Sequence, residues 1–202
     1  MIRLLDIVLA LLMLVLAGLP MLIVAGVIYA YDGFPIIFRQ TRVGWNGRPF
    51  TIFKFRSMHL APPDSRSGTV AGTSRDEKAQ ARAAFQTTEV NDPRITPMGS
   101  VIRKTHLDEL PQIFNVLRGD MSLVGVRPDT PAQEVDYSEE YWRLRHSLRP
   151  GITGLAQVMN TPEGGMDGRR HWETVWIERH SLRLYFSILF RTVVKVLKSN
   201  SF

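Results

Sequence analysis

The sequence predicts an α+β fold, in which a small domain with a β-hairpin and short helices follows a long apolar N-terminal helix. Three observations predict this fold. Residues 7–30 carry no charge, two β-rich runs meet at Asn46-Gly47, and residues 91–128 are dense in helix-capping residues, glycines and prolines. We therefore divide the chain into a membrane helix over residues 1–33 and a domain over residues 34–202.

Composition restricts the classes of partner. The 202-residue chain has a formal net charge of +6, a sequence pI near 10.0 and no cysteine. Without cysteine there is no disulfide framework and no thiolate chemistry, which fits a reducing compartment. A basic balance suits nucleic acid, an anionic membrane surface or a phosphorylated substrate. Since no basic run has interleaved aromatic residues, we predict that nucleic acid is not a partner.

The apolar stretch over residues 7–30 would extend about 36 Å as a helix, which is long enough to cross a bilayer. Pro20 removes a backbone hydrogen bond in its middle and predicts a kink. Arg3 precedes the stretch and five Lys or Arg residues follow it between positions 39 and 56, so both flanks favour the cytoplasm. A re-entrant helix that bends at residues 18–20 explains both features. A tilted full span with a proline kink is the alternative.

The β-rich runs around Asn46-Gly47 predict a hairpin, because this dipeptide suits the left-handed positions of a tight turn. In the second strand, Phe53 and Phe55 alternate with Lys54 and Arg56. Successive side chains of a strand point to opposite faces, so the aromatic rings can face a core while the cations share the other face. Those cations either belong to a site or lie on a solvated strand face.

An adjacent acid pair, Asp108-Glu109, stands between Arg103 and Arg127. A phosphate-handling site needs both kinds of group. Carboxylates hold a divalent cation or attack phosphorus, and guanidinium groups bind phosphate oxygens bidentately. The structural alternative is a helix cap, since acidic residues are ordinary in a first helical turn.

The capping residues, prolines and glycines around the acid pair predict two short helices. If Asp108 caps a helix, Pro111 falls at its third position and Gly119 ends it. Both carboxylates would then lie at a helix N-terminus, where anions are favoured. An upstream helix over residues 100–104 would carry Arg103, and an apolar run over residues 121–126 ends on Arg127-Pro128.

The rest of the chain adds less chemistry. Residues 61–89 predict an exposed loop followed by a mobile flap or a peripheral helix, and a further helix is expected from Pro131 onward. Arg149 precedes a Pro-Gly turn and binds either phosphate or a surface carboxylate. The turn leads into an expected strand over residues 155–159. None of the five histidines stands at a metal-ligand spacing, so zinc is not predicted.

The C-terminal part predicts a loop over residues 164–170, followed by one or two helices over residues 172–198. Aromatic residues there are mixed with cations, a pattern typical of amphipathic helices at a membrane interface. A terminal helix that packs on the core is the alternative.

Residues 107–128, LDELPQIFNVLRGDMSLVGVRP, resemble the signature of the bacterial sugar transferases, the monotopic phosphoglycosyl transferases. The Lys-Phe-Arg run at residues 54–56 and the Arg-Pro-Gly-Ile-Thr-Gly run at residues 149–154 also resemble this family, and the matches cover nearly the whole chain. The resemblance implies the re-entrant form of the N-terminal helix, at the cytoplasmic face of the bacterial inner membrane.

The resemblance also implies a reaction: transfer of a phosphosugar from a UDP-sugar to polyprenyl phosphate, with release of UMP. Asp108 would attack the β-phosphorus, and Glu109 would help to hold Mg²⁺ or would position the lipid phosphate. Both carboxylates are expected metal ligands. The residues expected to bind substrate are Lys54, Arg56, Arg103, Arg127, Pro128 and Arg149. Membrane lipid is an expected partner, and a homodimer is left open.

Several positions depart from the family pattern. Leu19 replaces the serine of a Ser-Pro break, Val126 replaces proline in Gly-Pro-Arg-Pro, and Leu155 replaces tryptophan. Glu173 and Tyr185 stand where the family usually has aspartate. Two other classes of function remain open from the residues alone. One is a non-catalytic membrane scaffold, and the other is a metal-dependent phosphotransferase or hydrolase without a covalent step.

Overall fold

A computed structural model of the chain describes residues 1–59, 74–84, 92–159 and 164–199. It confirms an α+β fold that is mostly helical and has two small sheets. The α-helices and strands, in chain order, are α1 (Ile2–Asp32), β1 (Ile37–Val43), β2 (Pro49–Phe55), α2 (Arg75–Ala84), α3 (Pro97–Lys104), α4 (Gln112–Arg118), β3 (Ser122–Val124), α5 (Glu139–Arg145), β4 (Gly151–Thr153), α6 (Leu155–Met159), α7 (Gly165–Arg179) and α8 (Leu182–Ser199).

Helix α1 runs through Pro20 and exposes an apolar surface along its middle, where Val15, Leu16, Leu19 and Leu22 are 69–79% exposed. By length and composition the helix is able to cross a membrane, and its most apolar window covers 18 residues. Only 11% of that window is buried against the rest of the protein, so the helix does not behave as the core helix of a soluble domain.

The N-terminal end of α1 is bound to the domain by polar contacts. Arg3 donates to the carbonyls of Val116 (2.6 Å) and Leu117 (3.0 Å), which lie in the last turn of α4. Asp6 is 1% exposed, and its Oδ1 accepts from Ser122 Oγ (2.9 Å), Leu123 N (2.9 Å) and Tyr185 Oη (2.8 Å). A buried carboxylate with three donors is well satisfied, so this end of α1 is part of the folded domain.

The C-terminal end of α1 is bound to the same domain. Thr96 Oγ1 donates to Asp32 Oδ2 at 3.0 Å, and Arg56 Nη2 donates to the carbonyl of Gly33 at 2.8 Å and also to that of Asp32. Nearby, Val24 and Ile28 of α1 pack with Phe55 and Ile102. Both ends of the apolar helix are therefore anchored on one body.

The predicted hairpin is confirmed. Strands β1 and β2 pair antiparallel, with Ile37 opposite Phe55 and Val43 opposite Pro49. Asn46 has φ 53° and Gly47 has φ 74°, the left-handed conformations that this dipeptide favours. Buried Asn115 of α4 joins the hairpin, since its Nδ2 donates to Thr51 O at 2.7 Å and its Oδ1 accepts from Phe53 N at 3.0 Å.

The second sheet consists of β3 and β4, which pair parallel, and β3 contributes Leu123 and Val124 to the main hydrophobic core. The two backbone segments approach so closely that a Cβ on Gly151 would lie 2.0 Å from Gly125 N, which explains why residue 151 is glycine. The main core gathers apolar residues from α1, α4, β3 and the C-terminal helices, among them Ala10, Ile113, Val116, Val124, Tyr185 and Ile188.

The expected strand over residues 155–159 is wrong. Pairing with β3 falls on Gly151–Thr153 instead, where Gly125 N donates to Thr153 O at 2.8 Å, and residues Leu155–Met159 form helix α6. The short apolar run has no helical or strand period of its own, and its tertiary partners decide its structure. The expected loop over residues 164–170 is also wrong, because α7 begins at Gly165.

The C-terminal segment forms two helices, α7 and α8. Helix α8 buries Tyr185 and Ile188 in the core yet leaves Phe186, Phe190, Val193 and Leu197 48–71% exposed, so it shows features of both alternatives. The remaining exposed apolar row repeats at helical spacing, as in interfacial helices.

Helix α2 is the expected peripheral helix. It buries no residue, and its ion pairs run from Lys78 to Glu134 (2.6 Å) and from Arg82 to Asp136 (2.7 Å). The loop predicted within residues 61–73 lies outside the described residues. From Pro131 onward the chain is helical as predicted, first as a 3-10 helix over Pro131–Asp136 and then as α5.

Candidate active site

The acid pair lies in a 3-10 turn, Leu107–Glu109, ahead of α4. The expected cap geometry, with Asp108 at the N-cap and Pro111 at the third helical position, is wrong, because Pro111 itself is the N-cap of α4. The turn is closed by bonds over three residues, from Glu109 N to His106 O and from Leu110 N to Leu107 O, each at 3.2 Å. Both carboxylates therefore stand on a tight turn that leads into the helix.

Glu109 is held by two cations from distant parts of the chain. Its Oε1 accepts from Lys54 Nζ at 2.5 Å and lies 3.6 Å from Arg127 Nη1. Burial alone would raise the pKa of Glu109, but Lys54 and Arg127 outweigh burial and lower it. The structure thus brings together three of the predicted site residues and keeps Glu109 ionised.

Asp108 is in a different state from its neighbour. Within the described parts of the chain its carboxylate makes no hydrogen bond and no ion pair. Burial raises the pKa of Asp108, the charge of Glu109 raises it further, and Lys54 and Arg103 oppose the rise. A half-buried carboxylate with unused oxygens and raised basicity is free to bind a metal ion or to attack an electrophile.

Arg42 lies beside the candidate site, and the sequence did not point to it. Its Nη1 donates to Pro128 O at 3.0 Å, and its Nη2 donates to Gln40 Oε1 at 2.5 Å. Burial lowers the pKa of Arg42 to about 10, and the neighbouring charge of Arg127 contributes. The register of the hairpin places Arg42 of β1 on the same face as Lys54 of β2, and this shared face is the feature that would have indicated Arg42.

Cations outnumber acids around the turn. Burial lowers the pKa of Lys54, Glu109 opposes this effect, and Arg127 adds to it. With Arg42 and Arg103 also within electrostatic range of the acid pair, the site has spare positive charge. Spare guanidinium and ammonium groups of this kind bind phosphoryl oxygens.

Two predicted substrate-binding residues have structural contacts elsewhere. Arg56 is 5% exposed and holds the end of α1. Arg149 donates from Nε to Gly119 O at 2.9 Å, and its guanidinium lies 4.7 Å from the ring centre of Trp45. It also lines a cavity of about 460 Å³ beside Arg3. Neither residue has a described contact with the acid pair, so their substrate roles stay predictions.

The donor set fits Mg²⁺ better than a metal held by protein ligands alone. Across the described ranges, no group of three or more His, Asp or Glu side chains is arranged to hold a metal ion. Mg²⁺ in phosphoryl-transfer sites uses one or two carboxylates and completes its shell with water and substrate phosphates. Asp108, with no protein partner among those residues, and Glu109 beside it provide such a pair.

The family model described as bacterial sugar transferase matches residues 1–199. The chain belongs to the bacterial sugar transferase family. It is 38% identical over 198 residues to the UDP-glucose:undecaprenyl-phosphate glucose-1-phosphate transferase of Escherichia coli (strain K12), covering 94% of this chain and 39% of that protein.

Other relatives in the bacterial sugar transferase family are named for different sugars. The undecaprenyl-phosphate galactose phosphotransferase of Salmonella typhimurium is 37% identical to this chain. The alignment covers 97% of this chain and 40% of the Salmonella protein. The UDP-N-acetylgalactosamine-undecaprenyl-phosphate N-acetylgalactosaminephosphotransferase of Aeromonas hydrophila is 38% identical, with 81% of this chain and 36% of its own length covered. The chain thus spans about two fifths of the length of these relatives.

Proposed function

We propose that this protein transfers a phosphosugar from a UDP-sugar to polyprenyl phosphate through a covalent intermediate on Asp108, with release of UMP. The observation that carries the proposal is the contrast within the acid pair. The negative charge of Glu109 is paired with Lys54 and Arg127, whereas the neighbouring Asp108 has a raised pKa and no described partner. One carboxylate is thereby fixed in place, and the other is left available to react.

In the first step, a carboxylate oxygen of Asp108 forms a bond to the β-phosphorus of the UDP-sugar. The bond from that phosphorus to the bridging oxygen breaks, and UMP leaves with the electron pair. Asp108 then carries the phosphosugar as an acyl phosphate. Burial favours the reaction, since a desolvated carboxylate with a raised pKa is more basic than an exposed one once it has lost its proton.

In the second step, a phosphate oxygen of polyprenyl phosphate attacks the same phosphorus. The bond to Asp108 breaks, the carboxylate is restored, and the product is a polyprenyl diphosphate sugar. Arg127, which is half exposed, and Lys54 lie where they can bind phosphoryl oxygens in both steps. Arg103 adds positive charge on the side of Asp108.

Asp108 and Glu109 are the residues that would hold Mg²⁺. When bound, the ion supplies positive charge that reduces the repulsion between an anionic nucleophile and an anionic diphosphate. The protein contributes the orientation of the pair, because Lys54, which is paired within the hairpin, holds Glu109 at 2.5 Å.

The two anchored ends of α1 support a re-entrant helix. A full span would place Arg3 and Asp32 on opposite sides of a hydrocarbon core about 30 Å thick. One folded domain holds both of these residues, at α4 and at Thr96. We therefore place the domain at the cytoplasmic face of the bacterial inner membrane, with the exposed middle of α1 and the apolar row of α8 in contact with lipid.

A test measures UMP release over a panel of UDP-sugars, with Mg²⁺ and polyprenyl phosphate supplied in detergent or nanodiscs. We expect UMP and a polyprenyl diphosphate sugar to appear in equal amounts with at least one sugar, and Asp108→Asn to form neither. A non-catalytic scaffold would release no UMP with any sugar. Water-dependent UMP release without a lipid product would indicate a hydrolase.

A further inference from the structure

The loop that carries Arg127 is held at four consecutive backbone carbonyls. Hydrogen bonds from the protein to four consecutive carbonyls are unusual for a loop, because loop carbonyls normally face water. The donors are Gly151 N to Val126 O (2.9 Å), Arg145 Nη2 to Arg127 O (2.7 Å), Arg42 Nη1 to Pro128 O (3.0 Å) and Val43 N to Asp129 O (2.9 Å). Four hydrogen bonds therefore fix the backbone on either side of Arg127.

Arg145 is the centre of this arrangement, and its side chain is 1% exposed. Its Nη1 lies 2.6 Å from Asp129 Oδ2, and its Nε and Nη2 donate to Glu173 at 2.8 and 3.0 Å. The same Nη2 donates to the carbonyl of Arg127. Every nitrogen of the planar guanidinium group is thus used, in a geometry that an ammonium group cannot reproduce.

Arg169 closes the buried network from the solvent side. Its side chain is 23% exposed, and it contacts Asp129 Oδ1 at 3.1 Å and Glu173 Oε1 at 2.9 Å. Two guanidinium groups therefore balance two buried carboxylates. Burial lowers the pKa of Arg145, but Asp129 and Glu173 outweigh burial and raise it, so the network stays charged.

A charged network is a poor way to gain stability alone, because apolar side chains of similar volume often serve as well or better. It does fix geometry, because each buried charge must keep its partners. The geometry fixed here is that of a functional side chain. The network ends on the Arg127 carbonyl, and the Arg127 guanidinium lies 3.6 Å from Glu109.

We propose that Arg145, with Asp129, Glu173 and Arg169, forms a set of positioning residues. These residues orient the Arg127 guanidinium group toward the diphosphate. The inference rests on the proposed function in one respect, since it takes Arg127 as a phosphate-binding residue. It adds that the contribution of Arg127 depends on a buried network that has no described contact with the acid pair.

A double-mutant cycle tests this dependence. Arg145→Lys keeps the charge and loses the fork, so we expect kcat/KM to fall on the order of tenfold through a misplaced Arg127. In an Arg127→Ala background the same substitution should change kcat/KM less than about twofold, because the residue through which Arg145 acts is already gone. Arg143→Lys, on the exposed face of the same helix and paired with Glu139, is the matched control and should leave activity unchanged.

Equal losses in the two backgrounds would overturn the proposal and leave the network a purely structural role. If Arg145→Lys does not fold, Arg169→Gln replaces it in the cycle, because its side chain is partly exposed and its removal loosens Asp129 and Glu173. The dissociation constant for UDP with Mg²⁺ provides a second readout, which we expect to show the same dependence on Arg127. If the wild-type chain binds UDP but transfers nothing, the proposed function fails while this binding cycle still decides the role of Arg145.

Discussion

Replacing Lys54 with methionine tests the electrostatic account of the acid pair. Methionine keeps much of the apolar stem but leaves Glu109 without the partner that lies 2.5 Å from its Oε1. The two side chains are 17% and 21% exposed, so the pair is largely buried. Truncating one partner of a buried pair costs about 3–5 kcal/mol, and partial exposure reduces this to about 2–3 kcal/mol here. Arg127 at 3.6 Å compensates for only part of the loss.

The assay is thermal unfolding in detergent at neutral pH. For a chain of this size, a loss of about 2–3 kcal/mol lowers Tm by about 5–10 °C. The matched control is Arg143→Met, which breaks the exposed pair with Glu139, where both side chains are more than three quarters exposed. Exposed pairs of this kind contribute about 0.3–0.5 kcal/mol, so Tm should change by about 1–2 °C.

The pH dependence of the Lys54 effect has a defined sign. Because the pKa of Glu109 is lowered in the fold, its ion pair stabilises the protein above the unfolded value of about 4.3 and ceases to do so as pH falls through the lower folded pKa. The gap in Tm between wild type and Lys54→Met should therefore narrow in acid. Equal Tm values for Lys54→Met and Arg143→Met at neutral pH would refute the reasoning.

Three other predictions concern the site and the membrane helix. Arg127→Lys keeps the charge but loses the planar fork, so kcat/KM should fall by about tenfold; an unchanged value would remove Arg127 from the site. Burial and Glu109 raise the pKa of Asp108, and Lys54 opposes the rise. The acid limb of the kcat/KM profile should therefore shift to lower pH in Glu109→Gln and to higher pH in Lys54→Met. Shifts of the acid limb in the same direction in both variants would contradict the assignment. Cysteines introduced at Ile2 and Gly33 should react only with membrane-permeant reagents in intact cells, whereas labelling of position 2 by an impermeant reagent would indicate a full span.

The sequence predicted those parts of the structure that depend on local signals. Asn46-Gly47 determined the hairpin turn, and the alternation in β2 placed Lys54 and Phe55 on opposite faces. The density of charge around Asp108-Glu109 predicted a candidate site, and the structure brings Lys54 and Arg127, two of its predicted residues, to Glu109. In each case, neighbouring residues carry enough information to specify the geometry.

The sequence failed where distant partners decide the outcome. The strand expected over residues 155–159 lies at Gly151–Thr153, because that is where β3 offers its hydrogen bonds. Arg56 shows no local sign that it would hold the end of α1. Arg145 likewise sits in an ordinary charged helix, and its buried partners are 16 residues before it and 28 residues after it along the chain. Neither residue shows a periodicity or spacing that reveals these contacts.

The measurement that most directly tests the central claim is isolation of the intermediate. The protein is mixed with Mg²⁺ and a UDP-sugar labelled in the β-phosphate, without polyprenyl phosphate, and is quenched within one turnover. We predict that mass spectrometry locates the phosphosugar on Asp108, that Asp108→Asn forms no adduct, and that added polyprenyl phosphate discharges it. An adduct on Glu109, or normal turnover by wild-type protein from which no adduct is trapped, would contradict covalent catalysis by Asp108.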